Sequence, residues 1–316
     1  MRRLLLGLAF VLALPGLARA ADGLALVVNS AAASLSVVDM ATLKEVRRVP
    51  VLREPHHVAL SPDGRELLVG DTVGNEILFL DPMRFEVKRR LPVADPYQLG
   101  FSPDGRYLVV NGLARNQVDV YDARTMALVH RFPLASMPSH LAYTSDGSMV
   151  FVSLQGTGKL AAIDLRRMAV LWTAEVGRAP AGVMFLNGQV LVAIMGSDNV
   201  AVVDPVDGSV VRRIVTGKGA HQLFLSPDGS RLYVNNRVDG STVALDPQSL
   251  KLLRSYRVPG GPDDIAFAPD GMLWITERFA QKVAVLDPAT GALREVEVGR
   301  SPHGIFLNTD RLIAAR

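Results

Sequence analysis

Residues 55–64 read Pro-His-His-Val-Ala-Leu-Ser-Pro-Asp-Gly, and variants of this stretch begin again at Pro96, Pro138, Pro180, Ala220, Pro262 and Pro302. In most of them an apolar stretch with strand-like alternation leads into a turn where glycine supplies the positive φ that other residues avoid. A second marker keeps the same step: an apolar pair or triple closed by aspartate, at Asp39, Asp81, Asp122, Asp164, Asp204, Asp246 and Asp287. The intervals are 42, 41, 42, 40, 42 and 41 residues. A constant period of this length marks a repeat array, so the chain is read as seven units of a single domain.

Within a unit the grammar is constant. The second shows it: Val58 to Leu60, the turn Ser61-Pro-Asp-Gly64, Glu66 to Gly70, the loop Asp71 to Asn75, Ile77 to Leu80, the turn at Asp81-Pro82, then Glu86 to Leu91. These are four short strands joined by hairpins, and no sustained helical period follows the first twenty residues. The fifth unit shortens its first turn to Leu186-Asn-Gly188, the signal of a two-residue hairpin. The two ends are each incomplete. Gly23 to Val51 supplies strands two to four without a first, and Ser301 to Leu307 supplies a first strand alone. Together they complete one unit, which closes the array into a ring and leaves no open sheet edge. Leu312 to Ala315 competes with Leu24 to Asn29 for the second-strand place, and the N-terminal segment is preferred because its hairpin to Leu35 to Val38 is local. The expected fold is all-β: a seven-bladed β-propeller of four antiparallel strands per blade.

Composition narrows the function classes. Arg2 and Arg3, an apolar run from Leu4 to Leu17 and Ala18-Arg19-Ala20 form the three regions of a secretory signal, so residues 1–20 are read as a leader and 21–316 as an exported domain, periplasmic or secreted. No later stretch is apolar enough for a spanning helix. Without the leader the chain carries 31 basic and 31 acidic residues, a balance that argues against nucleic acid as partner. The absence of cysteine removes disulfides, thiolate metal sites, c-type haem attachment and cysteine nucleophiles. No G-x-S-x-G, H-E-x-x-H, phosphate-loop or calcium-loop spacing occurs. A monomer is expected.

The repeating residues are scaffold and the varying ones are site candidates. The seven strand-end aspartates are expected to cap turns, since aspartate bonds its own backbone there. Antiparallel alternation puts these turns on one face of the ring and the unit starts on the other. At the starts the residues change from blade to blade: His56 and His57, Tyr97 and Gln98, Ser139 and His140, Ala181 and Gly182, His221 and Gln222, Asp263 and Asp264, His303 and Gly304. Five of the six histidines fall in this set. First strands lie nearest the axis, so these side chains are expected at the mouth of the central channel, where histidine can ligate a metal or haem iron, act as a base, or bond a neighbouring blade's backbone. Arg237 and Arg278, each directly after a second strand, are placed to hold a carboxylate or to form an inter-blade ion pair, for instance with Asp239 or Glu277.

The Ser-Pro-Asp-Gly turns, Leu232-Tyr-Val-Asn235, Val283-Ala-Val-Leu-Asp287 and the Pro-His starts resemble the YVTN-type family of seven-bladed propellers, which includes the YncE-like proteins, over essentially the whole mature chain. That resemblance implies the fold and leaves function open. The reading adopted is a non-catalytic scaffold binding a protein partner or small ligand on the His-rich face, which needs no chemistry that the sequence fails to show; the resemblance implies a narrower version, an accessory to periplasmic quinoprotein-linked oxidation, with which short members are associated. The resemblance also leaves a haem d1-type cofactor propeller, whose iron would take one of the five histidines, and a metal-dependent lactonase using Asp263 or Asp264. The sequence assigns no cofactor, metal or catalytic residue.

Overall fold

The computed structural model describes residues 22–309, which form 28 strands in seven four-stranded antiparallel sheets. Each sheet is one blade. Blade two comprises Pro55–Leu60, Leu67–Asp71, Glu76–Leu80 and Val87–Pro92, in that order from the axis outward. Blades three to seven start at Pro96, Pro138, Pro180, Ala220 and Pro262. Blade one closes the ring. Leu24–Asn29 pairs on one side with Ser34–Asp39 and on the other with Pro302–Asn308, so the N-terminal segment fills the second-strand place as its local hairpin required. The expected leader, residues 1–20, and the competing segment Leu312 to Ala315 lie outside the described residues.

Burial follows from the stacking of blades. Second and third strands are covered on both faces by the neighbouring blades, and Leu67–Asp71 and Glu76–Leu80 are buried at every position. Fourth strands line the perimeter, and Val87–Pro92 keeps only a partial apolar stripe. The core is therefore a set of layers between blades, such as Tyr233, Ala244 and Tyr256 of blade six against Ile265, Leu273 and Ile275 of blade seven. At roughly 25 cal/mol per Å² of apolar surface removed from water, these layers supply the main stabilisation.

The repeated motifs do what their chemistry suggests. All seven marker aspartates accept a backbone N–H two or three residues on. Asn187 and Gly188 both take left-handed φ, 50° and 76°, as a two-residue hairpin turn requires. A further device was not visible in the sequence. Fourth-strand side chains reach across to the carbonyls of the next blade's aspartate turn: Arg47 to Arg84, Trp172 to Pro205, Arg212 to Ser249, and Arg254 to Pro288, Ala289 and Thr290.

First strands begin earlier than the alternation indicates. In blade two the strand starts at Pro55 and not at Val58. Proline is tolerated as the first residue of a strand. The register then shifts by one, from Pro55 opposite Asp71 to Val58 opposite Val69, so His56 and His57 together face Gly70. This is a β-bulge, and all seven blades carry it at the same place. A bulge re-aims side chains, here sending adjacent residues of one strand toward the axis.

Candidate functional site at the channel mouth

The bulges assemble one connected cluster from blades one, two, three, four, six and seven. His56 Nδ1 lies 2.7 Å from His303 Nδ1, and His56 Nε2 lies 3.2 Å from Glu54 Oε1. An uncharged arrangement satisfies both contacts: His303 donates from Nδ1 to His56, and His56 donates from Nε2 to Glu54. The ring of His57 packs on His303 at 4.4 Å between centroids, on Tyr97 at 5.3 Å and on His140 at 5.3 Å, and His140 continues to His221 at 5.3 Å. Tyr97 also covers His56 at 4.7 Å. These five histidines are between 0 and 5% exposed, so they form a buried layer beneath the mouth and not its surface.

Asp263 is the charge at the centre. His221 Nδ1 lies 3.0 Å from its Oδ1, Arg237 Nη2 donates to the same oxygen at 2.5 Å, Arg278 Nη1 donates to Oδ2 at 3.4 Å, and His303 Nε2 stands 3.6 Å from Oδ2. Arg237 Nη2 also lies 2.6 Å from His221 Nε2, which accepts when Nδ1 carries the proton. The arginines thus pair with Asp263 of blade seven. Their expected alternatives took other roles: Asp239 accepts the Lys218 N–H, and Glu277 accepts the Gly260 N–H. Arg237 and Arg278 retain side-chain exposures of 14% and 22%, so the guanidiniums are what the cluster presents outward.

Burial sets the protonation states. Desolvation pushes His57 down to about 3, with His56 adding to the shift, and His221 down to about 4, helped by Arg237. Burial holds His140 and His303 well below the ordinary imidazole value, with nearby histidines acting in the same direction. For Asp263 desolvation is the largest single effect and opposes ionisation. Arg237, His303 and His221 together outweigh it and hold the carboxyl well below its usual value. Asp264 goes the other way, pushed up to about 8 by burial and by the charge of Asp263. Its Oδ1 accepts the Ile265 N–H of its own strand, and among the described residues it forms no hydrogen bond or ion pair with a histidine. Burial raises Tyr97 to about 12.

Of the ten sequence-derived candidates, the structure joins His56, His57, Tyr97, His140, His221, Asp263, His303, Arg237 and Arg278, and leaves Asp264 aside. Glu54 is a member that the sequence reading missed. Its place directly before the repeat proline was the available signal, and its hydrogen bond with His56 lowers its carboxyl. Blade five adds no functional side chain, because Ala181-Gly182 occupies its place; a Cβ on Gly182 would collide with Gln222 Oε1. Among the described residues no three His, Asp or Glu side chains are disposed to hold a metal ion. Buried Nε2 atoms of His57, His140 and His303 nevertheless lack a hydrogen-bond partner.

Solved structures with the same architecture include a functionally unknown protein from Desulfotomaculum acetoxidans, 13% identical with a TM-score of 0.77, covering 91% of this chain and 99% of that one. The dihydro-heme d1 dehydrogenase NirN is 16% identical with a TM-score of 0.67, covering 93% of this chain and 77% of that one. A putative 6-phosphogluconolactonase from Bacteroides uniformis is 17% identical with a TM-score of 0.70, covering 91% and 100%. At these identities the likeness is one of fold alone. No curated protein matches the sequence. The family model of YNCE-like beta-propellers matches residues 7–311, and the chain belongs to that family.

Proposed function

We propose that this is an exported, non-catalytic propeller that binds an anionic group, on a small ligand or a protein partner, at its channel mouth. The observation that carries this reading is the pair Arg237 and Arg278, fixed on one buried carboxylate with part of each guanidinium exposed. An arginine held in place by Asp263 loses little freedom when it binds a second carboxylate or a phosphate. The surroundings add positive charge. Arg53, Arg115, Arg178, Lys218 and Arg300 are exposed on the same face, and none lies within ion-pair distance of a described acid. Neighbouring acids turn inward: Asp71, Asp95 and Asp198 accept backbone N–H groups of the loops. Glu54 and Asp239 return negative charge at the rim, and Glu175 and Glu297 stand exposed at the ends of fourth strands.

The non-catalytic part of the reading rests on the same chemistry. A general base works best with a pKa near the operating pH, and His57 and His221 are held far below it. The haem reading finds less support. The imidazoles pack against one another, and Arg237 and Asp263 engage both nitrogens of His221, so a macrocycle would have to displace that pair before reaching its ring. An anionic ligand also fits a role beside periplasmic quinoprotein-linked oxidation.

Thermal unfolding with succinate and with inorganic phosphate tests the reading. The wild-type midpoint should rise saturably with at least one of them, and the Arg237→Gln/Arg278→Gln variant should show no rise. Equal rises in both proteins, or none in the wild type with either anion, would contradict it.

A further inference from the structure

On the opposite face, between blades six and seven, lies a cleft of about 860 Å³ lined by Tyr233, Tyr256, Phe267, Leu273, Arg231 and Arg254 among others. That volume is in the range of small-molecule sites, and the lining mixes aromatic walls with a few polar groups, as such sites do. The same place between blades four and five is filled. There Phe151 stacks on Phe185 at 6.0 Å, Trp172 lies at 6.0 Å from Phe151, and the indole N–H donates to the Pro205 carbonyl at 3.1 Å.

The strand registers make the two places equivalent. Phe151 pairs with Ala162 and Ala162 with Trp172; Tyr233 pairs with Ala244 and Ala244 with Arg254. Phe185 corresponds to Phe267, each being the aromatic residue near the end of its first strand. Blade six therefore has arginine where blade four has tryptophan. The Arg254 guanidinium donates to the carbonyls of Pro288, Ala289 and Thr290 at 3.0, 2.6 and 2.9 Å and lies over the Tyr256 ring, whose hydroxyl donates to the Pro288 carbonyl at 2.9 Å as the Trp172 indole does to Pro205. Tyr233 and Phe267 lie 5.9 Å apart and tilted by 48°; Tyr233 is buried, and Phe267 is the half-buried ring of the pair at the cleft.

Polar groups on the wall define the rest of the ligand. Arg231 donates one N–H to the Ser230 carbonyl at 2.8 Å and is otherwise exposed at the cleft, and the Tyr233 hydroxyl makes no hydrogen bond with a described residue. Asp228 is engaged by the hydroxyls of Ser226 and Ser230. We infer that the cleft binds a planar, indole-sized aromatic acid, its ring against Phe267 and Leu253 beside Tyr256, in the space that the Trp172 side chain takes between blades four and five, and its anionic substituent on Arg231. This site is independent of the channel mouth.

The probe is 8-anilinonaphthalene-1-sulfonate, with indole-3-acetate as competitor, added to the folded full-length protein. Wild type should show saturable one-site fluorescence enhancement that indole-3-acetate displaces. Arg254→Trp, which rebuilds the filled arrangement, and Ala289→Trp, which blocks the cleft from an exposed turn, should each weaken binding at least tenfold, and Arg231→Gln at least threefold. Arg237→Gln/Arg278→Gln should bind as wild type does. The inference is overturned if the wild type shows no saturable site, if indole-3-acetate fails to displace the probe, or if both tryptophan variants bind it unchanged; circular dichroism of each variant establishes that it is folded.

Discussion

Nδ1 of His56 lies 2.7 Å from Nδ1 of His303, although 247 residues separate them in sequence. The contact spans the join between blade two and the closing blade. Ring closure and the channel-mouth cluster thus depend on the same strand, Pro302–Asn308, which also pairs with Leu24–Asn29. A chain ending at Arg300 should lose both. It exposes the edge of Leu24–Asn29 and leaves His56 without its partner, and open edges recruit other chains. Size-exclusion chromatography should show oligomers or aggregate in place of a compact monomer; a monomer with wild-type cooperativity of unfolding would contradict the account of closure.

Acid should destabilise the fold in the window between about pH 6.5 and 4. Unfolded histidine takes up a proton near 6.5, whereas folded His57 and His221 wait until about 3 and about 4. Below 6.5 the unfolded state binds more protons, so stability falls as pH falls, by roughly 1.4 kcal/mol per pH unit for each such histidine at most. Asp264 acts in the opposite direction. Its folded-state value of about 8 exceeds the unfolded value of 3.8, so its contribution is lost as pH rises through that interval. Stability should therefore peak near pH 6.5, and Asp264→Asn should flatten the decline between 6.5 and 8 in urea-denaturation midpoints. A wild-type profile that rises steadily to pH 8 would count against these assignments.

Asp263→Asn should be the most damaging isosteric change at the mouth. It leaves Arg237 and Arg278 with no carboxylate at their centre, and removing one partner of a buried ion pair costs about 3 kcal/mol or more. Because both guanidiniums keep some contact with water, the lower figure applies. Chemical denaturation gives the value. Replacing both arginines by methionine in the Asp263→Asn background should recover part of the loss.

Gly182→Ala tests why blade five contributes nothing to the cluster. The added methyl would meet Gln222 Oε1 and, at 2.7 Å each, the His221 carbonyl oxygen and the Gln222 Cα. Overpacking of this kind costs roughly 1–3 kcal/mol. Gln222→Ala should recover only a fraction, since the backbone contacts remain. A neutral effect of Gly182→Ala would mean that the blades shift apart more freely than their packing indicates.

Much of this was legible in the sequence, for reasons that particular residues make clear. The aspartates from Asp39 to Asp287 and the Ser-Pro-Asp-Gly turns report local backbone chemistry, and local chemistry repeats with the fold. The ring followed from two incomplete ends. The channel-mouth candidates emerged as the positions where the repeat changes. What stayed hidden depends on contacts between blades. Nothing local to Arg237 or Arg278 says that both meet Asp263 and not Asp239 or Glu277: Arg237 reaches it across the gap between blades six and seven, and Arg278 reaches it from the neighbouring strand of blade seven. The bulge was also hidden, and with it the burial of His56 and His57 as a layer under the arginines. The equivalence of Arg254 and Trp172 shows only in the register, which sets Arg254 opposite Ala244 as Trp172 stands opposite Ala162.

The central claim is that Arg237 and Arg278, held on Asp263, receive an anion beside the buried histidine layer. Nuclear magnetic resonance of protein labelled with nitrogen-15 at histidine tests it most directly, because the Nε2 atoms of His57, His140 and His303 make no hydrogen bond with a described residue and should report a charge that arrives at the arginines. Titration with succinate or inorganic phosphate should move these signals saturably in the wild type and leave them still in Arg237→Gln/Arg278→Gln. Signals that stay fixed in the wild type with both anions, or move equally in both proteins, would contradict the account.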